Sequence, residues 1–546
     1  MANKNLNAAK AAKKDEWLRK QSLIIVLALV VICLIPVVYK ELLDEFSLGR
    51  VISSALYVLP LCFLLTSIRK KWIFIVFSSV LMVTSFLETM MVLLYKNYLI
   101  AGNILAILGT TADEGTGFVL SSLSKVPLAM PVILVFVFLL LAYRPAVSCK
   151  RNILCAGLCA LASVLFLTYQ LDVRWQGNIT TTFYVEQNVL ARPPYNFWFQ
   201  SMNAFEQQLH KRDIGKADKM SFGAKRPKVV GKEIYVLAIG ESLRYDNLSL
   251  AGYHRSTTPL LDSLEPIVLF SNYYSTANLT MYSVPQIVTR ATPEDFNLNY
   301  REKSIFKPFQ ECGFKTFVIG NNLMGEKGYE YLSHGCDKVY SIPGYDDSKI
   351  ASLVDSLSNL YDKVFFIVHF KGNHGPYNNF KKAQNKFRPN PVFDHVGWDN
   401  HEAMVNAYDN TVLFMDYCVY HIIKAIDKKN AQSAFLMVSD HGADYDTGVS
   451  DHGGNCNPRK PEYHVPLILW QSEVWRNKYP KKYQSLKANK DKPVNADNVF
   501  YSVCDMADIT ISPMYAKAEW SVFNQHLQSH ERKLLVPDGK NYIVVK

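Results

Sequence analysis

Five long apolar runs in the first third of the chain restrict its architecture more than any other feature. They cover Ser22–Tyr39, Val51–Ile68, Trp72–Tyr95, Val126–Tyr143 and Ile153–Leu171. Each has about the 17–25 apolar residues that carry a helix across a hydrocarbon core. A buried core helix would account for any one of them, but not for five in succession. Beyond about residue 230 the apolar residues fall into short blocks between polar segments.

Loop charges orient the bundle. Lys4, Lys10, Lys13, Lys14, Arg19 and Lys20 crowd the N-terminal tail. Arg69-Lys70-Lys71 and Arg144, Lys150 and Arg151 fill two connections, whereas the alternate connections mix signs, as in Lys40, Glu41, Asp44, Glu45 and Arg50. The positive-inside rule then puts the tail in the cytoplasm, and five crossings leave everything after Leu171 on the far side. The first run is longer than a signal-peptide core, lacks a small-x-small cleavage site and precedes four more runs, so it reads as an uncleaved anchor. The expected organisation is a tail over 1–21, a five-helix membrane domain over 22–171, a connecting region over 172–230 and a soluble domain over 231–546.

Within the connecting region, Tyr195-Asn196-Phe197-Trp198-Phe199 with Met202, Phe205 and Leu209 suggests an amphipathic helix. It suits either the headgroup plane or a packing role on the soluble domain. Lys216 to Lys228 carries five basic residues and reads as a flexible linker beside an anionic lipid surface. The net charge of +11 lies partly in that linker and the tail, and nothing resembles a nucleic-acid module. Five of the ten cysteines, Cys312, Cys336, Cys418, Cys456 and Cys504, would face an oxidising compartment, with Cys312 and Cys336 near enough in sequence to suggest a bridge.

From Glu233 onward, short β-rich runs alternate with longer amphipathic stretches. The runs are Ile234–Ile239, Ile267–Phe270, Thr316–Ile319, Val364–Phe370, Phe435–Val438 and Val465–Trp470, and His401–Lys424 is the clearest intervening helix. Near-continuous apolar strands separated by helices predict a mostly parallel sheet covered on both faces, an α/β sandwich. Five runs lead into polar clusters: Gly240-Glu241-Ser242, Asn278-Leu279-Thr280, Gly320-Asn321-Asn322, Gly372-Asn373-His374-Gly375 and Ser439-Asp440-His441-Gly442. Ligands of open parallel sheets bind beyond the carboxyl ends of the strands, so these clusters converge on one face. Glu241, Asp440 and His441 are hard-to-borderline donors suited to Zn²⁺ or Mn²⁺. Asp451-His452-Gly453-Gly454 offers further ligands.

Gly240-Glu241-Ser242-Leu243-Arg244-Tyr245-Asp246, running on to Gly252-Tyr253-His254-Arg255-Ser256-Thr257-Thr258-Pro259, resembles the signature of phosphoethanolamine transferases, inner-membrane enzymes that modify lipid A or lipopolysaccharide core. The resemblance covers essentially the whole chain. It implies five membrane helices followed by a periplasmic, alkaline-phosphatase/sulfatase-like domain. It also implies a zinc site formed by Glu241, Thr280, Asp440 and His441, with a second Zn²⁺ left open and Mn²⁺ the lesser candidate. Thr280 would be the nucleophile, since Thr280-Met281-Tyr282-Ser283-Val284-Pro285 keeps the family spacing that separates it from Thr276. His374 and His452 would assist catalysis and contact substrate, together with Asn322 and Lys327, although the spacing to Lys327 is one residue longer than in the family. Where the family often has Asp-His-Gly-Glu, this chain has Ala443 then Asp444, so that acid is either absent or supplied by Asp444.

The implied reaction moves phosphoethanolamine from phosphatidylethanolamine to lipid A or lipopolysaccharide through a phospho-threonine, in a monomer of the bacterial inner membrane. A phosphoglycerol transferase of the lipoteichoic-acid-synthase type is the alternative, and the Gly-Tyr-x-Arg-x-Thr-Thr-Pro segment favours the first. A sulfatase activity lacks its Cys/Ser-x-Pro-x-Arg nucleophile motif.

Overall fold

The structure is a computed structural model that describes residues 2–43, 46–95, 98–109, 122–143, 149–174, 189–210, 220–321, 335–342, 346–375, 377–390, 401–446, 458–536 and 539–545. It divides into two compact units, 1–100 with 122–203, and 101–121 with 204–546.

The first unit is helical. Its main elements are α1 (Ala2–Leu43), α2 (Leu48–Thr66), α3 (Lys71–Tyr95), α4 (Val126–Ala142) and α5 (Cys149–Arg174). Among the described residues, five stretches are long and apolar enough to cross a membrane: Arg19–Leu43, Leu48–Thr66, Lys71–Tyr95, Leu123–Ala142 and Lys150–Thr168. These are the five runs expected from sequence.

Helix α6 (Asn196–His210) starts in this unit, and a buried acid fixes its start. Glu88 of α3 accepts from the Leu99 backbone N–H at 2.9 Å and from Asn196 Nδ2 at 2.8 Å, while Asn196 also donates to the Leu99 carbonyl at 2.7 Å. A buried carboxyl requires such donors, so the contact sets where α6 docks. Tyr195 adds a hydrogen bond to the Tyr57 carbonyl at 2.9 Å. Asn196, Gln200 and Asn203 are buried, whereas Trp198, Met202, Phe205 and Leu209 are exposed, so one face of α6 is an uncovered apolar stripe.

The second unit holds a seven-stranded sheet of order β2-β8-β7-β1-β6-β4-β5. The strands are β1 (Glu233–Gly240), β2 (Ile267–Phe270), β4 (Lys315–Asn321), β5 (Lys338–Ile342), β6 (Lys363–His369), β7 (Gln432–Ser439) and β8 (Leu467–Gln471); β3 (Tyr273–Tyr274) pairs separately with β9 (Val494–Asn495). β1 runs parallel to β6 and β7, and β4 parallel to β5 and β6. β8 is antiparallel to both β7 and β2. Tyr235, Leu237 and Ile239 of β1 enter one apolar cluster, and Ile234, Val236 and Ala238 enter the other. Both faces of the strand are therefore buried, as its unbroken apolar run predicts.

Two expectations need correction. Residues 220–228 do not behave as a free linker: Phe222 is fully buried, Glu311 accepts from the Phe222 and Ala224 backbone N–H groups at 3.1 and 2.8 Å, and Lys225 bridges to Thr510. An aromatic inside a basic stretch outweighs its polar surroundings once a pocket accepts it. The linker's earlier part, 216–219, lies outside the described residues. Nor does the Cys312–Cys336 bridge form, because Cys312 is a free thiol. It packs partly buried against the core at the end of a short helix, with its N–H donated to the Phe309 carbonyl.

Candidate functional site

The central pair of strands, β1 and β7, delivers the acidic and imidazole groups. Their register pairs Gly240 with Ser439, so Glu241 and Asp440 leave adjacent strands at the same level. Ser242 then turns with φ 56°, and its backbone N–H donates to Asp440 Oδ1 at 3.1 Å while its hydroxyl donates to Glu241 Oε1 at 2.9 Å. His441 N–H completes the hold on Asp440 Oδ1 at 2.7 Å. The second carboxylate oxygen, Oδ2, is buried without a hydrogen bond and faces His441 Nε2 at 3.3 Å.

His441 Nδ1 contacts the Gly442 carbonyl at 2.8 Å, which makes Nδ1 the protonated nitrogen and leaves Nε2 as the donor atom. That Nε2 lies 3.3 Å from Glu241 Oε1 and 3.2 Å from Thr280 Oγ1; Thr280 Oγ1 lies 3.1 Å from Glu241 Oε2. Thr280 is the first residue of α7 (Thr280–Val288), so its hydroxyl sits at a helix N-terminus, where anions are favoured. The neighbouring Met281 packs with Ala101, Leu105 and Ala204.

Among the described residues, Glu241, Asp440 and His441 form a group whose donor atoms lie within 4.8 Å of one another, close enough to hold a metal ion. All three are buried. Burial pushes the Asp440 carboxyl up, and the Glu241 charge adds to the rise. Burial acts to depress His441, but Asp440 and Glu241 outweigh it and raise the imidazole above its ordinary value. Both shifts reflect enclosed carboxylate charge, which a divalent ion would offset, and the donor set suits one.

The other expected residues divide. His374 sits in the turn after β6, with Nδ1 2.6 Å from the Gly375 carbonyl. It stands outside the three-donor group but is tied to it: Asn373 N–H donates to the Glu241 carbonyl at 2.9 Å, and a Cβ on Gly372 (φ 54°) would sit 2.9 Å from that same oxygen. Asp347 fixes the turn by accepting from the Lys371 and Gly372 N–H groups at 3.0 Å each. Asp444 takes Arg459 with both oxygens at 3.1 Å and lies outside the group of donors. Asn322, Lys327 and His452, with the 451–454 cluster and Cys456, lie outside the described residues.

Sequence reasoning did not single out Glu462, which is buried. It accepts from Asn278 Nδ2 at 2.8 Å and from the Arg459 N–H at 2.7 Å, and its carbonyl accepts from Gly442 N–H at 2.7 Å. Its partners are far off in sequence, so no local pattern announces it.

A parallel-centred sheet with acid and imidazole groups at the ends of its middle strands, and a hydroxyl at a helix N-terminus beside them, defines an enzyme of the alkaline-phosphatase/sulfatase-like architecture. The chain belongs to the sulfatase family, whose profile matches residues 233–509. Its relatives include phosphoethanolamine transferases. It is 29% identical to phosphoethanolamine transferase EptC of Escherichia coli K12 over 331 residues, 57% of this chain and 56% of that protein. It is 28% identical to EptA of Salmonella typhimurium LT2 over 272 residues, 45% of this chain and 48% of that protein. The matched segments thus span about half the length of these relatives. Among solved structures, the zinc complex of the C-terminal periplasmic domain of E. coli EptC aligns with a TM-score of 0.53 at 26% identity, covering 59% of this chain and 94% of that one. The integral membrane lipooligosaccharide phosphoethanolamine transferase A of Neisseria meningitidis aligns with a TM-score of 0.68 at 20% identity over 92% of this chain and 97% of that one, a likeness of fold.

Proposed function

We propose that this chain transfers phosphoethanolamine from phosphatidylethanolamine to lipid A or lipopolysaccharide, with Thr280 as the covalent nucleophile. The observation that carries the reading is the placement of Thr280 Oγ1, 3.1 Å from Glu241 and 3.2 Å from His441, at a helix N-terminus. Glu241, Asp440, His441 and Thr280 would hold zinc, the metal in the structure of the EptC domain. Zinc, when bound, supplies the positive charge that lowers the threonine pKa and offsets phosphoryl charge.

The chain's own groups do the rest. Thr280 passes its Oγ1 proton to Glu241 Oε2 as Oγ1 attacks the phosphorus, the phosphorus–oxygen bond to diacylglycerol breaks, the diacylglycerol oxygen takes up a proton, and phosphoethanolamine remains on the threonine. With Nδ1 of His374 held by a carbonyl, its Nε2 is the atom that would deliver that proton, and His452 is the alternative donor. An acceptor phosphate or sugar hydroxyl then attacks the same phosphorus and Thr280 regains its hydroxyl.

The five apolar helices support a membrane setting beside the lipid substrates, which this reading takes as an inner membrane with the tail cytoplasmic and the catalytic domain periplasmic. The exposed Trp198, Met202, Phe205 and Leu209 stripe of α6 favours the headgroup-plane reading of that helix. Expression in a Gram-negative host followed by mass spectrometry of lipid A tests the proposal. A phosphoethanolamine addition is expected and should vanish in Thr280→Ala; an addition that persists removes Thr280, and a glycerol phosphate addition replaces the donor.

A further inference from the structure

Thr280 and the Asp440–His441 pair come from segments 160 residues apart, yet an in-line attack tolerates little error in their relative placement. One short element spans the gap. Helix α8 (Lys460–Tyr463) lies between the two loops and bonds to both. On the nucleophile side, Glu462 takes Asn278 Nδ2 at 2.8 Å and the Tyr463 carbonyl takes the Ser275 N–H at 2.8 Å. On the metal-donor side, the Glu462 carbonyl takes the Gly442 N–H at 2.7 Å, and the Ser275 hydroxyl donates to the Asp440 carbonyl. Gly442 also abuts Pro461, since a Cβ there would lie 2.0 Å from the Pro461 oxygen.

We infer that Glu462 is a positioning residue that sets the distance between Thr280 and the metal donors. Its two functional ends act in opposite directions: the carboxylate holds the loop that enters α7, and the backbone carbonyl holds the loop that follows His441. Glu462 is 2% exposed and Asn278 1%. A carboxylate so buried is costly unless hydrogen-bonded, and it has the bonds it needs from Arg459 N–H at 2.7 Å and Asn278. Asn278 stands two residues before Thr280, so releasing its side chain frees the loop that aims the hydroxyl. A displacement on the order of 1 Å costs up to about a hundredfold in rate. The inference rests on Thr280 being the nucleophile.

The test uses the full chain in detergent with zinc, and two substrates: phosphatidylethanolamine and bis(p-nitrophenyl) phosphate, a generic phosphodiester. Asn278→Ala and Glu462→Ala should each lower kcat about tenfold to a hundredfold. KM should stay within about twofold, and bound zinc should be unchanged. The double variant should be no slower than Glu462→Ala, because both changes break one bond. Glu462→Gln should recover most of the rate, since an amide can still accept from Arg459 and donate to a rotated Asn278. Amide exchange over residues 276–283 should quicken in Asn278→Ala, a readout independent of turnover. Unchanged kcat or exchange in Asn278→Ala overturns the inference, as do multiplicative losses in the double variant or loss of zinc in either single. If Glu462→Ala does not fold, Asn278→Ala still decides, because it leaves the α8 cap and the Gly442 bond in place. A wild type that cleaves the generic diester but not phosphatidylethanolamine refutes the headgroup reading, while the kcat comparison on the diester still judges Glu462.

Discussion

Gly442 and Pro461 lie so close that a methyl group on the glycine would meet the Pro461 carbonyl oxygen at 2.0 Å. Nothing larger than glycine fits the residue after His441 unless backbone moves.

The first prediction follows directly. Gly442→Ala should push α8 away from the His441 loop, since the obstacle is a carbonyl rather than the end of a flexible side chain. Overpacking of this kind costs about 1–3 kcal/mol, and misplaced donors reduce turnover about a hundredfold or more. Thermal denaturation and turnover of the full chain would check it; wild-type rate with unchanged melting would show that the strut yields freely.

Glu241 and Asp444 should differ in metal retention. Glu241→Ala should leave substoichiometric zinc, because one of three clustered donors is lost. Asp444→Ala should keep wild-type zinc, because that carboxylate is occupied by Arg459. Metal analysis of the two purified proteins settles the roles, and zinc loss in Asp444→Ala would return Asp444 to the site.

His369, at the end of β6, gives the fold an acid limit. Burial holds its imidazole down at about 4 against an ordinary value of 6.5. The unfolded chain therefore takes up this proton first as pH falls. Its contribution is fully present above pH 6.5 and is lost between 6.5 and about 4, a change of up to about 3 kcal/mol. Melting temperatures at pH 7.5 and 5 should diverge less in His369→Gln than in the wild type. An equal divergence would mean that other groups set the acid limit.

Trp198→Glu and Phe205→Glu should weaken turnover of lipid substrates in vesicles while sparing bis(p-nitrophenyl) phosphate hydrolysis. Both side chains are exposed, so stability should change by no more than about 0.5 kcal/mol. Equal losses on both substrates would assign α6 a structural task instead.

Legibility from sequence followed the range of the forces involved. The central strands were readable because burial on both faces leaves an unbroken apolar signature, and the five helices because of the length and composition of their apolar runs. β5 was not, since Lys338–Ile342 is an edge strand with mixed exposure. Glu241, Asp440 and His441 were readable from their place after strand ends. Thr280 was separable from Thr276 only through a family spacing; in the fold, the Thr276 carbonyl is spent on Leu535 while Thr280 reaches the donors. Glu462, Asp347 and Glu88 act through partners distant in sequence, and no periodicity encodes such pairings.

Phe222 carries a practical consequence. It is fully buried, with its ring centroid 5.5 Å from that of Phe500 and 5.3 Å from that of Tyr515. A soluble fragment cut at residue 231, where strand prediction would place the boundary, removes this plug and strands the Glu311 carboxylate that receives the Phe222 and Ala224 N–H groups. The lost aromatic alone is worth about 3–5 kcal/mol, a large share of the stability of a typical domain. Truncation before residue 220 retains the plug and its acceptor, and so sets where the membrane segments can be cut away without hollowing the catalytic half.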